Sequence, residues 1–130
     1  MKQIYLIIAL SLFFAFNGYA RKTTPTVKPL TSEEFKEIIA SKTVLLIDVR
    51  TAEEFSEGHI PGSVNVDVNN PDFVSIIKNL IKKKPLALYC RSGNRSKLAA
   101  VKLSSLAVKI YDLDLGIKDW IQAGFPITKE

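Results

Sequence analysis

The middle of the chain reads Leu86-Ala87-Leu88-Tyr89-Cys90-Arg91-Ser92-Gly93-Asn94-Arg95-Ser96. The first four of these residues are apolar and have the length of a fully buried strand. A helical pattern extends from Ser96 to Leu106, so only a short polar loop separates the two elements. The stretch therefore predicts a strand, a loop and a helix in immediate succession, which is the repeating unit of α/β folds.

The segments on either side repeat this alternation of strand and helix. Thr43–Val49 is a β-branched, apolar run, which is typical of a strand buried on both faces. Shorter strands are predicted at Val64–Val66 and Val108–Leu113. Four further helices are predicted from a capping box at Thr31–Glu34, a second at Thr51–Glu54, Asn70 as an N-cap before Pro71, and a short pattern around Trp120. We predict an α/β domain built as a three-layer sandwich, with a mainly parallel central sheet and helices on both faces.

The first twenty residues have the plan of a secretory signal peptide. Lys2 supplies a positive start, Ile4–Phe16 is an apolar run of thirteen residues, and Gly18-Tyr19-Ala20 offers small residues for cleavage. We predict a signal peptide at 1–20, a flexible or extended leader at 21–29 and one domain at 30–130, in a protein exported to the bacterial periplasm. Since the run is too short for a comfortable membrane span, we expect no stable membrane insertion after cleavage; the alternative is a retained anchor.

Composition and charge narrow the classes of partner. The chain has 130 residues, of which 47% are hydrophobic and 24% charged, as in a folded single domain. The formal net charge of +5 is mild, and Lys82-Lys83-Lys84 is the only basic run. This run lies between a helical pattern and a strand and has no aromatic residues among its lysines. We interpret it as a solvated turn and expect no nucleic-acid partner.

Cys90 is the only cysteine of the chain and lies at the predicted strand-to-helix turn. Backbone N–H groups and the positive end of a helix dipole converge at such a turn, and they favour a thiolate over a thiol. With no second cysteine, the chain can form no internal disulfide. We interpret Cys90 as a catalytic nucleophile, on the condition that solvent can reach it. The expected active loop, which would also bind substrate, consists of Arg91, Ser92, Gly93, Asn94, Arg95 and Ser96.

The side chains and the length of this loop indicate the kind of substrate. Arg91 and Arg95 can attract an anion, although each could instead bind an acidic neighbour or a loop carbonyl. Gly93 permits the backbone to curve so that successive N–H groups point at one anion. Four residues separate Cys90 from Arg95, one fewer than in phosphatases that use a cysteine nucleophile. The shorter loop favours a single sulfur atom over a tetrahedral phosphate.

Three motifs together resemble the single-domain rhodaneses, a family of sulfurtransferases. The motifs are Asp48-Val49-Arg50 with Glu53-Glu54-Phe55 and Gly58-His59-Ile60-Pro61-Gly62-Ser63; the loop Cys90–Ser96; and Gly116-Ile117-Lys118-Asp119-Trp120 with Ala123-Gly124-Phe125-Pro126. They extend over about residues 30–127. One departure is Leu115, which replaces the first of two glycines that usually stand at this point of the third motif. The departure puts in question any contact between that turn and the active loop.

The resemblance implies a thiosulfate sulfurtransferase-like enzyme with a rhodanese-like fold. Cys90 as thiolate would attack the outer sulfur of a small anionic donor such as thiosulfate, and the resulting persulfide would pass its sulfur to cyanide or a thiol. The resemblance implies no metal and no organic cofactor, and we expect a monomer. In the family, the residues that match Asp48 and Arg50 support the active loop, while the segment around His59 is a structural turn.

Other functions are left open by the sequence. The domain could be a non-catalytic sulfur carrier or anion-binding module that delivers a persulfide to a protein partner. It could also be a phosphatase or an arsenate reductase, although the short loop argues against both. A dithiol oxidoreductase is less favoured still, because no second cysteine could resolve a mixed disulfide.

Overall fold

A computed structural model describes residues 26–130, which form one five-stranded sheet with helices on both faces. The strands are β1 (Val27–Leu30), β2 (Leu45–Asp48), β3 (Val64–Asn65), β4 (Leu86–Tyr89) and β5 (Ile110–Leu113). The helices are α1 (Ser32–Ala40), α2 (Ala52–Glu57), α3 (Phe73–Leu80), α4 (Asn94–Lys102) and α5 (Gly116–Gln122), with a short 3-10 helix at Ser104–Leu106. The order across the sheet is β1-β5-β4-β2-β3, and every pair of neighbouring strands is parallel. The predicted α/β class is confirmed, with a sheet that is parallel throughout.

β4 is the central strand, and its side chains contact both layers of helices. All four of its residues are buried. Leu86 and Leu88 belong to an apolar cluster that includes residues of α3 and α4, whereas Ala87 and Tyr89 belong to one that includes residues of α1 and α5. Since alternate residues of a strand point to opposite faces, the two clusters lie on opposite sides of the sheet. This confirms the three-layer arrangement.

The parallel arrangement brings all loops that leave a strand to one edge of the sheet, which we call the carboxyl edge. Asp48 is the last residue of β2, Cys90 follows β4, and Asp114 follows β5. These three strands are neighbours, so the predicted site residues meet at this edge. The opposite edge, where the chain enters each strand, we call the amino edge.

The domain begins earlier than the sequence indicates. Val27–Leu30 pairs in register with Ile110–Leu113, so residues 27–29 of the predicted leader belong to the sheet. A four-residue strand that contains a proline carries no clear pattern of its own, and its partner lies far along the chain. Residues 27–29, predicted as leader, therefore belong to the folded domain. The predicted signal peptide, 1–20, and residues 21–25 of the leader lie outside the described residues.

Both predicted capping boxes are present, whereas the cap predicted for α3 is not. The side chains of Thr31 and Thr51 accept hydrogen bonds from the backbone amides of Glu34 and Glu54. Asn70 lies too early to cap α3. Its side-chain oxygen accepts a hydrogen bond of 2.9 Å from the amide two residues later, in a turn that precedes the helix.

α4 begins two residues before its predicted start. Gly93 has a left-handed backbone, with φ of +101°, and the helix follows it directly from Asn94. Arg95 and Ser96, predicted as the end of the active loop, therefore lie in the first turn of α4. The longest helices of the described chain have nine residues, and none is long and apolar enough to cross a membrane.

Candidate active site

The Cys90 sulfur lies inside the loop that joins β4 to α4. Gly93 N donates a hydrogen bond of 3.1 Å to Cys90 Sγ, and the thiol donates toward Ser96 Oγ at 3.7 Å. The predicted contact between loop amides and sulfur is therefore present, through one N–H group. Cys90 is only 1% exposed, so the thiol does not meet the condition of ready access to solvent. Its surroundings bind a sulfur but cover it.

Any side chain at Gly93 would clash with neighbouring backbone. A Cβ built on Gly93 would lie 2.0 Å from Asp114 O, at the end of β5. The Gly93 carbonyl accepts a hydrogen bond of 3.1 Å from Ser96 Oγ and one of 3.2 Å from Lys97 Nζ. The conformation that aims the Gly93 amide at sulfur is thus fixed from both sides.

The first turn of α5 holds the loop from outside. Ile117 N donates to Cys90 O at 2.9 Å, and Lys118 N donates to Arg91 O at 3.1 Å. Gly116 has φ of +72°, and a Cβ there would meet Arg91 O at 2.2 Å. Leu115 stands where the family usually has a glycine, and the contact between this turn and the active loop is nevertheless present. The Leu115 side chain is 59% exposed, and Gly116 is the residue that lies against the backbone of Arg91.

The sequence analysis missed Lys97 and Asp112. Lys97 Nζ lies 3.1 Å from Asp112 Oδ2, 3.0 Å from Asp114 Oδ1 and 3.1 Å from Asp114 O, in addition to its contact with Gly93 O. Burial lowers the pKa of Lys97, but hydrogen bonds to Asp114 and Asp112 outweigh it and raise that pKa. The sequence did contain an indication of these contacts. A cation in the first turn of a helix is unfavourable next to the positive end of the helix dipole, so Lys97 predicts carboxylates nearby.

The two arginines of the loop have different surroundings. Arg95 forms a bidentate pair with Glu54, with distances of 2.6 and 2.9 Å, and its hydrogen bond lowers the pKa of Glu54 to about 2. Arg91 is exposed, and its side chain makes no hydrogen bond or ion pair within residues 26–130. It lines an open cavity of about 390 Å³ together with Glu57, Lys118 and other residues. Arg91 is therefore the loop arginine that is free to meet an anion.

Asp48 and Arg50 form a buried ion pair beside β4. Arg50 Nη2 lies 2.7 Å from Asp48 Oδ2 and donates a second bond of 2.7 Å to Gly58 O, at the end of α2. The guanidinium also lies over the ring of Tyr89, the residue before Cys90, at 5.8 Å. The pair thus ties the end of α2 to β2 and β4. No hydrogen bond joins the pair to the Cys90 side chain or to residues 91–96, so its support of the active loop stays a prediction.

His59 occupies a structural position. Its Nδ1 lies 2.8 Å from Phe55 O, and its ring stacks on the Phe55 ring at 3.6 Å between centroids. The residue is 3% exposed. Trp120 is buried in the apolar cluster that also includes residues of α1, on the face of the sheet opposite α3 and α4.

Among residues 26–130, no group of histidine, cysteine and carboxylate side chains could hold a metal ion.

Comparisons with known proteins agree with this arrangement. A family model described as a rhodanese-like domain matches residues 31–123. The uncharacterized protein YqhL of Bacillus subtilis is 34% identical over 119 residues, which cover 90% of each chain. The thiosulfate sulfurtransferase GlpE of Pseudomonas savastanoi is 34% identical over 101 residues, which cover 72% of this chain and 92% of the relative. The crystal structure of a rhodanese-related protein from Thermoplasma volcanium is 32% identical and has a TM-score of 0.70, over 79% of this chain and 99% of that one.

Proposed function

Since the chain belongs to the family of rhodanese-like domains, we propose that it moves a sulfane sulfur from thiosulfate or a similar anionic donor to a thiophilic acceptor, through a persulfide on Cys90. The observation that carries the proposal is the hydrogen bond from Gly93 N to Cys90 Sγ, in a loop anchored to β5 and α5. The name of the GlpE relative supports thiosulfate as the donor.

The first half-reaction is an exchange at sulfur. The Cys90 thiolate attacks the outer sulfur of thiosulfate, a new S–S bond forms, and the bond between the two sulfurs of the donor breaks. Sulfite leaves with the electron pair of that bond, and the outer sulfur remains on Cys90 with a negative charge. The Gly93 amide, which donates to Cys90 Sγ, stabilises the negative charge of the attacking thiolate, as an oxyanion hole does for oxygen. The exposed Arg91 supplies a positive charge for the arriving anion.

The second half-reaction regenerates the thiolate. A cyanide ion or a thiolate attacks the terminal sulfur of the persulfide, and the Cys90 sulfur leaves as thiolate. Neither half needs a metal or an organic cofactor. Because Cys90 is 1% exposed, each half requires the side chain to turn toward the loop mouth or the loop to open over it.

The decisive experiment compares the wild-type chain with Cys90→Ser and with Lys129→Gln, an exposed substitution distant in sequence from the loop. With thiosulfate and cyanide, the wild type and Lys129→Gln should form thiocyanate, and Cys90→Ser should form none. Incubation with thiosulfate alone should add the mass of one sulfur atom to Cys90. Equal activity of wild type and Cys90→Ser would reject the proposal, as would phosphatase turnover that depends on Cys90.

The burial of Cys90 favours a second candidate, a sulfur carrier that exchanges sulfur only with a protein partner. A covered persulfide is protected from small acceptors until a partner opens the loop. Mass spectrometry separates the two functions. Loss of the added sulfur on treatment with cyanide supports the enzyme, whereas an adduct that cyanide does not remove supports the carrier.

We further propose that the protein is exported to the bacterial periplasm and acts there as a monomer. The plan of residues 1–20 supports cleavage after Ala20. Sequencing of the amino terminus after expression in a bacterium should find Arg21, and an intact Met1 would contradict cleavage. Gel filtration with light scattering should give the mass of one chain.

A further inference from the structure

A row of lysines follows the amino edge of the sheet. The loops that enter β2, β4 and β5, residues 41–44, 81–85 and 103–109, together hold five lysines and no acidic residue. All five side chains belong to exposed residues, and none forms an ion pair with a carboxylate of residues 26–130. The lysines are Lys42, Lys82, Lys83, Lys84 and Lys109.

Backbone hydrogen bonds join these entering loops side by side. Leu45 N donates to Pro85 O at 2.8 Å, and Leu86 N donates to Lys109 O at 2.9 Å. Neighbouring strands are about 4.8 Å apart, so the three loops lie within about 10 Å of one another along the edge. Lys42 and Lys84 also line the same cavity. The lysine row is therefore a continuous basic surface.

Acidic residues gather at the opposite edge. Each of three helices begins at the carboxyl edge, and the first turns of these helices hold Glu33, Glu34, Glu53, Glu54 and Asp119. The carboxyl edge nevertheless holds charges of both signs, because Arg50, Arg95 and Lys97 pair with carboxylates there. The loops of the lysine row hold only cations, so this edge is the one that offers an unbroken positive surface to an anionic partner.

The described part of the chain begins at the same edge. Ile110 N donates to Thr26 O at 2.9 Å, so the chain enters β1 next to Lys109. Nine residues separate Thr26 from the apolar run Ile4–Phe16, and nine extended residues reach about 30 Å. A bilayer that receives the run, during or after export, is therefore within reach of the lysine row.

We propose that the lysine row docks on the anionic headgroups of a lipid bilayer, so that Cys90 faces away from the membrane. The row belongs to the folded domain and acts whether or not the apolar run is later removed. A lysine close to an anionic bilayer increases binding about fivefold at low ionic strength. The orientation leaves the active loop open to donors and acceptors in solution.

Partition of the full chain into vesicles tests the proposal. Wild type, Lys82→Gln/Lys83→Gln and Lys118→Gln/Lys129→Gln are titrated with vesicles of phosphatidylcholine alone or with one third phosphatidylglycerol. Both double variants lose the same charge, but only the first loses it from the row. The first should bind anionic vesicles about 25-fold more weakly than wild type, and the second within about twofold of it. On neutral vesicles, where the apolar run alone acts, all three should partition alike.

Amine acetylation then reports orientation. On anionic vesicles, Lys42 and Lys82–Lys84 should react more slowly than in solution, while Lys118 reacts at the same rate. Equal weakening of both double variants, no preference for anionic vesicles, or unchanged acetylation of the row would each overturn the proposal. Neither readout involves sulfur transfer, so its outcome is independent of the proposed enzymatic function.

Discussion

Gly93 combines a left-handed backbone with close contact to the end of β5. Alanine in a left-handed conformation costs about 1–2 kcal/mol, and the clash with Asp114 O adds to that cost. We expect Gly93→Ala to lower the free energy of unfolding by more than about 2 kcal/mol. It should also slow alkylation of Cys90, because it displaces the amide that binds Sγ. Urea unfolding and iodoacetamide kinetics measure the two effects.

Gly62 offers a matched control for this prediction. Its φ is +82°, and a Cβ there would meet no atom within 4 Å. Gly62→Ala should therefore lose about 1–2 kcal/mol and alkylate at the wild-type rate. Equal losses of stability in the two variants would contradict the contact between Gly93 and Asp114.

The pair of Glu54 and Arg95 should make stability depend on pH. The folded-state pKa of Glu54 is about 2, below its ordinary value of 4.5. The pair therefore stabilises the domain above pH 4.5, and this contribution is lost as the pH falls toward 2. Since both side chains are partly exposed, we expect Glu54→Gln to cost about 0.5–1 kcal/mol at neutral pH.

Denaturant unfolding at several pH values checks this dependence. The difference between wild type and Glu54→Gln should be constant above about pH 5 and should shrink by about pH 3. A difference that stays the same at both pH values would show that the pair does not hold in solution. Glu57→Gln serves as a control, because Glu57 takes part in no ion pair of the described chain.

At the scale of elements, α4 is coupled to β5 through Lys97. Lys97→Met should destabilise the domain by about 1–3 kcal/mol, because Asp112 is 1% exposed and loses the cation that binds it. Its Oδ1 already has no hydrogen-bond partner among the described residues. The double variant Lys97→Met/Asp112→Asn removes the buried charge together with its partner. We expect the double variant to recover part of the lost melting temperature.

The same double variant shows whether Lys97 only stabilises the domain or also positions Gly93 in the active loop. Lys97→Met and the double variant both lack the bond from Lys97 to Gly93 O, so we expect Cys90 to be alkylated more slowly in both than in the wild type. Recovery of both melting temperature and alkylation would show that Lys97 acts on stability alone.

Features that depend on residues close together in the sequence could be predicted. Features that depend on a choice between two hydrogen-bond partners, or on residues far apart in the sequence, could not. The capping boxes at Thr31 and Thr51 depend on residues three positions apart, so the sequence reveals them. Asn70 failed as a cap because the same side-chain oxygen can accept from the amide two residues on, which forms a turn instead. Lys97 and Asp112 lie fifteen residues apart on a helix and a strand, and no periodic pattern connects them.

At the scale of the whole molecule, alternating strands and helices predict the class of fold but not the order of the strands. Cys90 could be located because its chemistry and its strand-to-helix turn lie in one short stretch. Its burial could not, because the apolar cluster that contains Cys90 is built from other elements, including Ile47 of β2 and Ile77 of α3. β1 was missed for a similar reason, since its partner begins at Ile110.

The position of β4 predicts where the molecule is most protected from exchange. β4 lies in the middle of the sheet with all of its residues buried, whereas β1 and β3 are edge strands. Amides 86–89 should exchange most slowly, at a rate that approaches the one set by global unfolding. Hydrogen exchange with mass spectrometry measures this order. Equal protection of β1 and β4 would contradict it.

The anchoring of the active loop by backbone groups of α5 has a consequence for engineering. The bonds from Ile117 N and Lys118 N end on carbonyl oxygens, which every amino acid possesses. Arg91, Ser92 and Asn94 are exposed and contribute nothing from their side chains to this scaffold. A library that randomises these three positions should therefore yield mostly folded proteins, and donor preference could be reprogrammed without rebuilding the framework.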